Sequence, residues 1–500
     1  MVQAPKSFLA ISRCLLAQAA ILASFHSVAV AQVPDGSGRT QVLENQLRPL
    51  IAPQLLGPPI EEGLLIDHGA VLRSQTAFYE DSANDNSSLV YRNLHIAEVR
   101  PWAMMSYGEL HRGFIRGQLG YQTYGVGDGY DTGLDEDTQG PYVDQGYYQL
   151  DVDALARRAG IANDDGFSSD FTIGRQFLVL GQGVTYGLTA ETLSLDWNYG
   201  AWRGLAFGGQ TIDRNVVGQF GNRNRLAYQL DRRRVYGGQL EYQGLDHQEL
   251  YSYVLGQWDN VSGIDATANA YDSTYWGIGA SGEVLFGEPG QEIGIPNLRF
   301  HTEFIVQSGQ HQEGLRRSDI SAWAFDSSLD YFFTVPGRPR VGFKYSHASG
   351  DNSRAGGPQP SGGTNEPGTK DSTFAGFGYV NTGISFAPLF SNLELVRLSA
   401  AMRPFDDPDS PAWQNLEVGT SMFFYWRAAA DAQVSNAGAD TPGDSYLGHE
   451  WDVHLNWRLS SDLFLLLNYG VFFPHGGSFS PLGENDHSRQ FLTVNLNWLL

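Results

Sequence analysis

Hydrophobic and polar residues alternate with a period of two along much of this chain. The clearest stretches lie at residues 298–307, 323–333, 449–459 and 492–500. In the third stretch the odd-numbered residues from Trp451 to Leu459 are apolar, whereas the even-numbered residues from Glu450 to Arg458 are polar or charged. Each stretch is about ten residues long, which is the length of a strand that crosses a bilayer at a tilt.

Alternation of this kind also suits a soluble β-sandwich, so two further features decide between the folds. Soluble strands average nearer five or six residues, and the aromatic residues here cluster at strand ends, as in the girdles of outer-membrane barrels. The sequence therefore predicts an all-β fold, a transmembrane antiparallel β-barrel. The alternating stretch that ends at Leu500 predicts that the C-terminal strand closes this barrel.

Loop lengths orient the predicted strands, because periplasmic turns are short and external loops are long in such barrels. The tight turn at 335–339 falls on the periplasmic side. Counting from the C-terminus gives about eighteen strands, the first beginning near Ala70, with 374–386 as a segment that could add one more. External connections are expected near residues 81–88, 124–146, 181–189, 211–233, 259–273, 308–320, 348–391, 427–448 and 474–488.

The N-terminus has the features of an export signal. Lys6 and Arg13 precede an apolar core from Leu15 to Ser24, and Ala29-Val30-Ala31 forms a cleavage site. Residues 1–31 are therefore predicted to be a signal peptide, which contains the sole cysteine. Residues 32–69 are then a periplasmic lead-in, and residues 70–500 are the barrel.

Composition narrows the partners. The chain has 32 Lys and Arg residues against 55 Asp and Glu residues, and this acidic balance argues against nucleic-acid binding. An exported barrel is expected in the outer membrane of a Gram-negative bacterium, in contact with membrane lipid and lipopolysaccharide.

Motifs for chemistry are weak. Residues 277–282 match GxGxxG, but the motif lies in an alternating strand and no helix follows it. His454 shares a strand face with Glu450 and Asp452 without a serine nucleophile at convincing spacing. The aspartates from Asp128 to Asp137 do not match a calcium-binding EF-hand loop. We expect no catalytic residue, metal or cofactor.

The polar strand faces suggest a charged lumen. Its predicted basic residues are Arg112, Arg116, Arg299, Arg340, Lys344, Arg397, Arg403 and Arg458. Arginine suits anionic substrates because its planar fork binds carboxylates. Acidic residues share these faces, among them Glu303, Asp326 and Glu417, so the opposite charges could instead brace one another. Both interpretations are open, and both can hold.

A second group of arginines occupies the predicted loop at 211–233. This loop cluster could fold inward as a constriction or face lipopolysaccharide phosphates outside the cell. The sequence does not separate the two. Its members are Arg214, Arg223, Arg225, Arg232, Arg233 and Arg234.

Several segments resemble the alginate-export family of outer-membrane barrels. They run through most of the predicted mature chain in order. The matching stretches are Ile173-Gly174-Arg175-Gln176, Ala322-Trp323-Ala324-Phe325-Asp326, Pro339-Arg340-Val341-Gly342-Phe343, and Gly448-His449-Glu450-Trp451-Asp452 with Phe472-Phe473-Pro474 after it.

The resemblance implies an eighteen-stranded channel that passes an exopolysaccharide outward along arginines, and it adds Arg175 to the expected lumen residues. The expected cargo is an acidic, alginate-like polymer whose passage is passive, with periplasmic export partners supplying direction. An uptake porin for small solutes shares the fold and is the alternative. A barrel-embedded hydrolase, with His454 as its base, is the alternative from another class.

Overall fold

The computed structural model describes most of the predicted barrel. The described residues are 63–80, 91–125, 136–161, 166–211, 233–259, 269–287, 293–313, 316–355, 364–365, 368–405, 413–434, 443–475 and 488–500. The predicted signal peptide and nearly all of the lead-in lie outside them. No helix within the described ranges is long and apolar enough to cross a membrane.

Within the described residues, eighteen long strands form one antiparallel sheet. They are β1 (Leu64–Glu80), β2 (Tyr91–Tyr107), β3 (His111–Tyr124), β4 (Glu136–Asp151), β5 (Phe167–Leu180), β6 (Tyr186–Tyr199), β7 (Trp202–Thr211), β8 (Arg234–Tyr242), β9 (Gln248–Trp258), β10 (Asn269–Phe286), β11 (Ile293–Glu313), β12 (Arg316–Phe332), β13 (Arg340–Ala348), β16 (Leu393–Met402), β17 (Leu416–Trp426), β18 (Tyr446–Arg458), β19 (Leu463–Pro474) and β20 (Arg489–Leu499). The short β14 (Arg354–Ala355) and β15 (Thr364–Asn365) pair separately, and α1 (Val152–Arg158) follows β4.

The barrel closes through its first and last strands. β1 pairs with β2 along one edge and with β20 along the other, from Val71 opposite Leu499 to Tyr79 opposite Phe491. Closure leaves no sheet edge unpaired, as a strand structure needs in lipid. The predicted fold class, the strand number of eighteen and closure by the C-terminal strand are confirmed.

Several strands extend beyond their predicted ends. β1 begins at Leu64, β4 at Glu136 and β10 at Asn269. The connection expected at 308–320 is a continuing hairpin, in which Gln310 pairs with Asp319. The apolar and polar alternation stops where a strand leaves the bilayer, because both faces then meet water, whereas the backbone ladder continues.

The two faces of the sheet have opposite environments. On β10, Trp276 and Ile278 are exposed on the outer face, whereas Tyr275, which precedes Trp276, is fully buried on the inner face. On β12, Trp323 is exposed between buried Ala322 and Ala324. A continuous exposed apolar surface of this kind is the lipid-facing band of an outer-membrane barrel. GxGxxG residues 277–282 lie within β10, paired on both sides.

Part of the connection from β13 to β16 folds into the barrel. This part, from Lys370 to Asn392, is called the plug. Phe377 forms a bridge with Tyr186 of β6, and Ile384 packs with Ala77 of β1 and Leu94 of β2. A segment that contacts strands on several sides of a closed barrel lies in its interior. The predicted extra strand at 374–386 is therefore inside the lumen and outside the sheet.

Candidate functional site

The orientation of the barrel follows from its connections. At the end of the barrel where β1 begins and β20 ends, the connections are short, such as residues 200–201 and 459–462. The longest connection, residues 349–392, is at the opposite end. Since periplasmic turns are short and external loops long, the end with the short connections faces the periplasm.

A buried carboxylate holds the plug. Glu450 of β18 accepts hydrogen bonds from the backbone N–H groups of Ile384 and Ser385, at 2.7 and 2.6 Å. Its second oxygen accepts from Phe386 N–H at 2.7 Å and from the Tyr425 hydroxyl at 3.2 Å. Hydrogen bonds to a charged acceptor are the stronger kind, so Glu450 is the main polar anchor of the plug.

Glycine is required beside this anchor. Gly383 has φ +94°, a conformation that other residues rarely adopt. A Cβ there would lie 2.5 Å from the Tyr425 hydroxyl and 2.6 Å from Glu450 Oε1. The absence of a side chain lets the plug backbone approach the carboxylate closely.

The β5–β6 connection, residues 181–185, also lies inside the barrel instead of outside it as predicted. Gln182 N–H donates to Glu303 of β11 at 2.7 Å, and the hydroxyls of Tyr251 and Tyr253 donate to the same carboxylate. The plug binds this inner turn, since Phe377 N–H donates to Thr185 C=O at 2.8 Å. Together the two segments obstruct the external half of the lumen.

A cavity of about 1120 Å³ lies on the periplasmic side of this obstruction. We call it the vestibule. Gln182 of the inner turn and Asn381 of the plug border it at one end, and residues 245–248 of the periplasmic β8–β9 turn border it at the other. Its charged lining residues are Asp246, Glu249, Glu283, Arg299, Asp330, Arg340 and Arg397.

Three predicted lumen residues therefore line one cavity, and they differ in their partners. Arg340 pairs with Glu417 at 2.9 Å, and the more exposed Arg299 lies 3.8 Å from Glu283. Arg397 forms no ion pair with any described residue, and its Nε lacks a hydrogen-bond partner. Its guanidinium lies 6.0 Å from the centre of the Phe423 ring.

Lys344 lies opposite Arg397 in the β13–β16 ladder but is engaged with the wall. Its ammonium is 2.9 Å from Asp326, which also contacts His301 at 2.6 Å and Ser346 at 2.5 Å. The charge of Lys344 therefore braces the barrel, which leaves Arg397 as the more available cation of the pair.

The remaining predicted residues lie elsewhere. Arg116 is buried against Asp144 at 2.5 Å, and Arg112 is near the periplasmic end of the same strand, where its charge acts on Asp170. Arg403 lies just after the end of β16, where its positive charge interacts with the carboxylate of Glu417. Arg458 donates to the carbonyl of Ser460 in a periplasmic turn.

Arg175 requires a correction, because the structure places it on the outer face. On β5 it lies on the opposite face from Leu178, which is buried in the interior, and on the same face as the exposed Ile173. Its partner across the ladder, Glu191, is also outside, at 2.7 Å. The inner face of β5 is partly apolar because it packs near the plug, so polarity does not identify the lumen face of this strand.

A charged group that the sequence reasoning missed lies on the β1–β2 wall. Glu98 contacts Arg73 at 3.2 Å and Arg100 at 3.1 Å, all three of them buried. The sequence of β2 carries a period-two pattern that could have identified this group. One face of the strand holds every second residue, namely Arg92, Leu94, Ile96, Glu98 and Arg100.

The residues of the hydrolase alternative do not form a catalytic arrangement in the described structure. Glu450 is occupied by the plug, whereas the Nε2 atom of His454 lies 3.8 Å from Glu417. In the loop cluster, Arg233 points inward to Asp259 at 2.6 Å and Arg234 is on the outer face. The other four arginines, and most of the acidic stretch Asp128–Asp137, lie outside the described residues.

Comparison with known proteins agrees with the fold. A BenF-like porin from Pseudomonas fluorescens Pf-5 matches with a TM-score of 0.52 at 10% identity, over 87% of this chain and 98% of the porin. OccK5 (OpdH) from Pseudomonas aeruginosa matches with a TM-score of 0.51 at 11% identity, over the same shares. No curated protein sequence matches the chain.

The family model for alginate export matches residues 182–490, which is more than half of the chain. The matched residues include the plug, nearly all of the inner turn and the residues that line the vestibule. An eighteen-stranded barrel of this kind resides in the outer membrane of Gram-negative bacteria, and family and fold are those of a channel. The chain therefore belongs to the alginate export family of outer-membrane β-barrel proteins.

Proposed function

We propose that this channel exports an acidic exopolysaccharide, and that the polymer enters through the vestibule. The observation that carries the proposal is the position of Arg397, a cation without an ion-pair partner among the described residues, in a cavity that borders the periplasmic turns. A carboxylate of the polymer would supply the missing acceptor, and guanidinium binds carboxylates in a bidentate way.

Neighbouring residues would complete the site. Arg340 and Arg299 border the same cavity and can exchange their protein carboxylates for those of a passing chain. The acidic lining residues weaken binding, which favours release, since conduction needs binding that is reversible. The plug obstructs the external half, so export requires that it move. Passage is passive, and periplasmic partners would supply direction.

The test is oligouronate binding to the refolded protein in detergent, measured by isothermal titration calorimetry. One charge-assisted hydrogen-bonded contact is worth about 1.5–3 kcal/mol, so Arg397→Ala should weaken binding roughly 10- to 100-fold. Arg157→Ala removes the same charge from the exposed helix α1 and should leave binding unchanged. Equal affinities for wild type and Arg397→Ala would contradict the proposal.

Planar-bilayer recording separates export from uptake. Block by oligouronate should occur from the side of the periplasmic turns, because the vestibule lies there and the plug shields the other side. A general uptake porin would instead show a large, unselective current that the oligouronate does not affect. That result would leave the channel assignment intact and remove the acidic cargo.

A further inference from the structure

A row of polar side chains crosses the outer face of the barrel. Arg175 pairs with Glu191, Glu191 with Gln210, and Gln210 with Arg234 in successive ladders of β5 to β8. Residues paired in this way share a face. The interior positions next to them, including Val235, are buried, which places the row outside. We call these four residues the outer polar row.

The row has internal contacts and an unmatched charge. Glu191 contacts Arg175 at 2.7 Å and accepts from the Gln210 amide at 3.2 Å. Arg234 is exposed and forms no ion pair or hydrogen bond with described residues. Two arginines against one glutamate leave the row with one positive charge in excess.

One end of the row lies at the external edge of the lipid-facing band. Gln210 and Arg234 are next to the ends of β7 and β8 that lead into the external connection 212–233. Tyr236, two residues from Arg234 toward the periplasm, packs its ring at 5.6 Å from that of Trp258, the residue opposite Arg234 in the β8–β9 ladder. Aromatic residues mark the membrane interface, so this end of the row is at the level of the lipid headgroups.

Two glycines leave space on the sheet surface for this aromatic pair. A Cβ at Gly208 would lie 3.0 Å from the Tyr236 ring, and one at Gly256 would lie 2.4 Å from the Trp258 ring. Both rings therefore lie against the sheet. Exposed Ile173 and Leu193 lie in the same cross-strand row as Tyr236, next to the outer polar row on its periplasmic side. Polar side chains thus border a row of aromatic and aliphatic side chains, as a lipid headgroup borders its acyl chains.

We propose that the outer polar row binds the phosphates of a phosphorylated glycolipid of the outer leaflet, the lipid A part of lipopolysaccharide. Guanidinium groups bind phosphate oxygens in a bidentate way. Arg175 and Arg234 are three strand spacings apart, about 14 Å at the backbone. This separation fits a headgroup with two phosphates, one for each arginine. Glu191 positions Arg175 through their ion pair, and Gln210 holds Glu191 through its amide hydrogen bond.

The experiment is native mass spectrometry of the refolded protein with bisphosphoryl lipid A, monophosphoryl lipid A and phosphatidylglycerol. Wild type should retain bisphosphoryl lipid A in preference to the other two. Arg234→Gln should weaken retention about tenfold, as expected for one lost charge-assisted contact. This variant carries little folding risk, since Arg234 is exposed and its side chain forms no ion pair or hydrogen bond with the described residues.

Two further variants complete the design. Glu191→Gln keeps the hydrogen-bonding atoms beside Arg175 and removes the negative charge, so retention should rise; a purely structural ion pair predicts no rise. Arg157→Gln, on the periplasmic helix, is the charge-matched control and should change nothing. Heat-modifiable gel mobility verifies folding of each variant.

Equal retention of bisphosphoryl lipid A by wild type and Arg234→Gln would overturn the proposal. So would equal retention of phosphatidylglycerol by wild type, which would mean general attraction of anionic lipid. Oligouronate binding should be the same in Arg234→Gln and wild type, because the row and the vestibule lie on opposite faces of the wall. The lipid site and the cargo proposal can therefore fail separately.

Discussion

The two halves of the lumen differ in how they are filled. The external half is packed, with Phe386 of the plug and Tyr275 and Phe472 of the wall fully buried. The periplasmic half is an open cavity of about 1120 Å³ with charged walls. On the proposed export route, a polymer that enters from the periplasm would meet the vestibule before it meets the plug.

The proposed function gives the two halves separate tasks. In that proposal, packing and the Glu450 anchor set how often the lumen is open, whereas Arg397 and its neighbours set which polymer is held at the entrance. If this division is right, changes in the external half should alter conductance, and changes in the vestibule should alter affinity.

The largest effect is expected at the plug anchor. Glu450→Gln weakens three backbone hydrogen bonds to a charged acceptor, each worth about 1.5–3 kcal/mol. Partial loss of this set should raise the open population at least tenfold, since about 1.4 kcal/mol corresponds to a factor of ten. Single-channel recording in planar bilayers measures this as larger or more frequent openings.

Glu394→Gln is the matched control for the anchor. Glu394 is a carboxylate of β16, two strands away from β18, and it accepts a hydrogen bond from Tyr345 instead of from the described plug residues. The conductance of the Glu394→Gln variant should equal that of the wild-type protein. If Glu450→Gln were as closed as Glu394→Gln, the plug would not depend on this carboxylate.

A pair of phenylalanines tests the packing on the two sides. Phe386 of the plug stacks on Phe472 with ring centres 4.3 Å apart and meets Tyr425 edge-on. Phe386→Ala should weaken docking of the plug by about 3 kcal/mol, the lower value for a buried phenylalanine. Phe332 lines the vestibule, where the Arg299 guanidinium lies 5.2 Å from the centre of its ring, and it forms no ring contact with described plug residues. Phe332→Ala should therefore weaken docking of the plug much less.

Limited proteolysis of the folded barrel measures this difference, because an undocked plug exposes its backbone. Cleavage within residues 370–392 should become faster in Phe386→Ala and stay slow in Phe332→Ala. Similar rates in both variants would mean that the external half is not held by its aromatic packing.

Much of the barrel was predictable because lipid imposes a period of two. The strands that include Trp323, Trp451 and Trp498 face lipid on one side, and their alternation alone gave their position and the number of strands. Where the surroundings change, the pattern ends. The β11–β12 hairpin continues into water beyond Gln307, and its polar pairs carry no apolar signal.

The filled lumen was not predictable, since an apolar loop segment such as 374–386 has the composition of a strand. The plug also makes the inner face of nearby strands apolar, and this reversed the expected position of Arg175. Alternation predicts inward positions for Arg299, Arg340 and Arg397, and these three residues border the vestibule, because their strands line the open half, where inward residues are polar. Which of them lacks a partner depends on distances that only the structure gives.

A smaller effect is expected from the acidic lining of the vestibule. Asp330 borders the cavity together with Arg397. Asp330→Asn removes a negative charge that repels a polyuronate, and charges in a solvated cavity typically contribute up to about 1 kcal/mol. Oligouronate affinity should therefore rise by a few fold in calorimetry, with conductance nearly unchanged. A fall in affinity would mean that Asp330 positions the arginine instead of opposing the ligand.

The smallest effect is expected from acid, at the external base of the plug. Burial by itself raises the pKa of Asp371, but the hydrogen bond with His311 and the charge of Arg354 outweigh it, so the pKa lies below its ordinary value. The stabilisation is complete above the pKa of a free aspartate, about 4, and is lost as the pH falls further. Conductance should therefore rise modestly between pH 5 and pH 3. Asp371→Asn removes the charge at every pH, so its conductance should be raised already at pH 5 and should change less on acidification. An equal acid response in both proteins would place the titrating group elsewhere in the lumen.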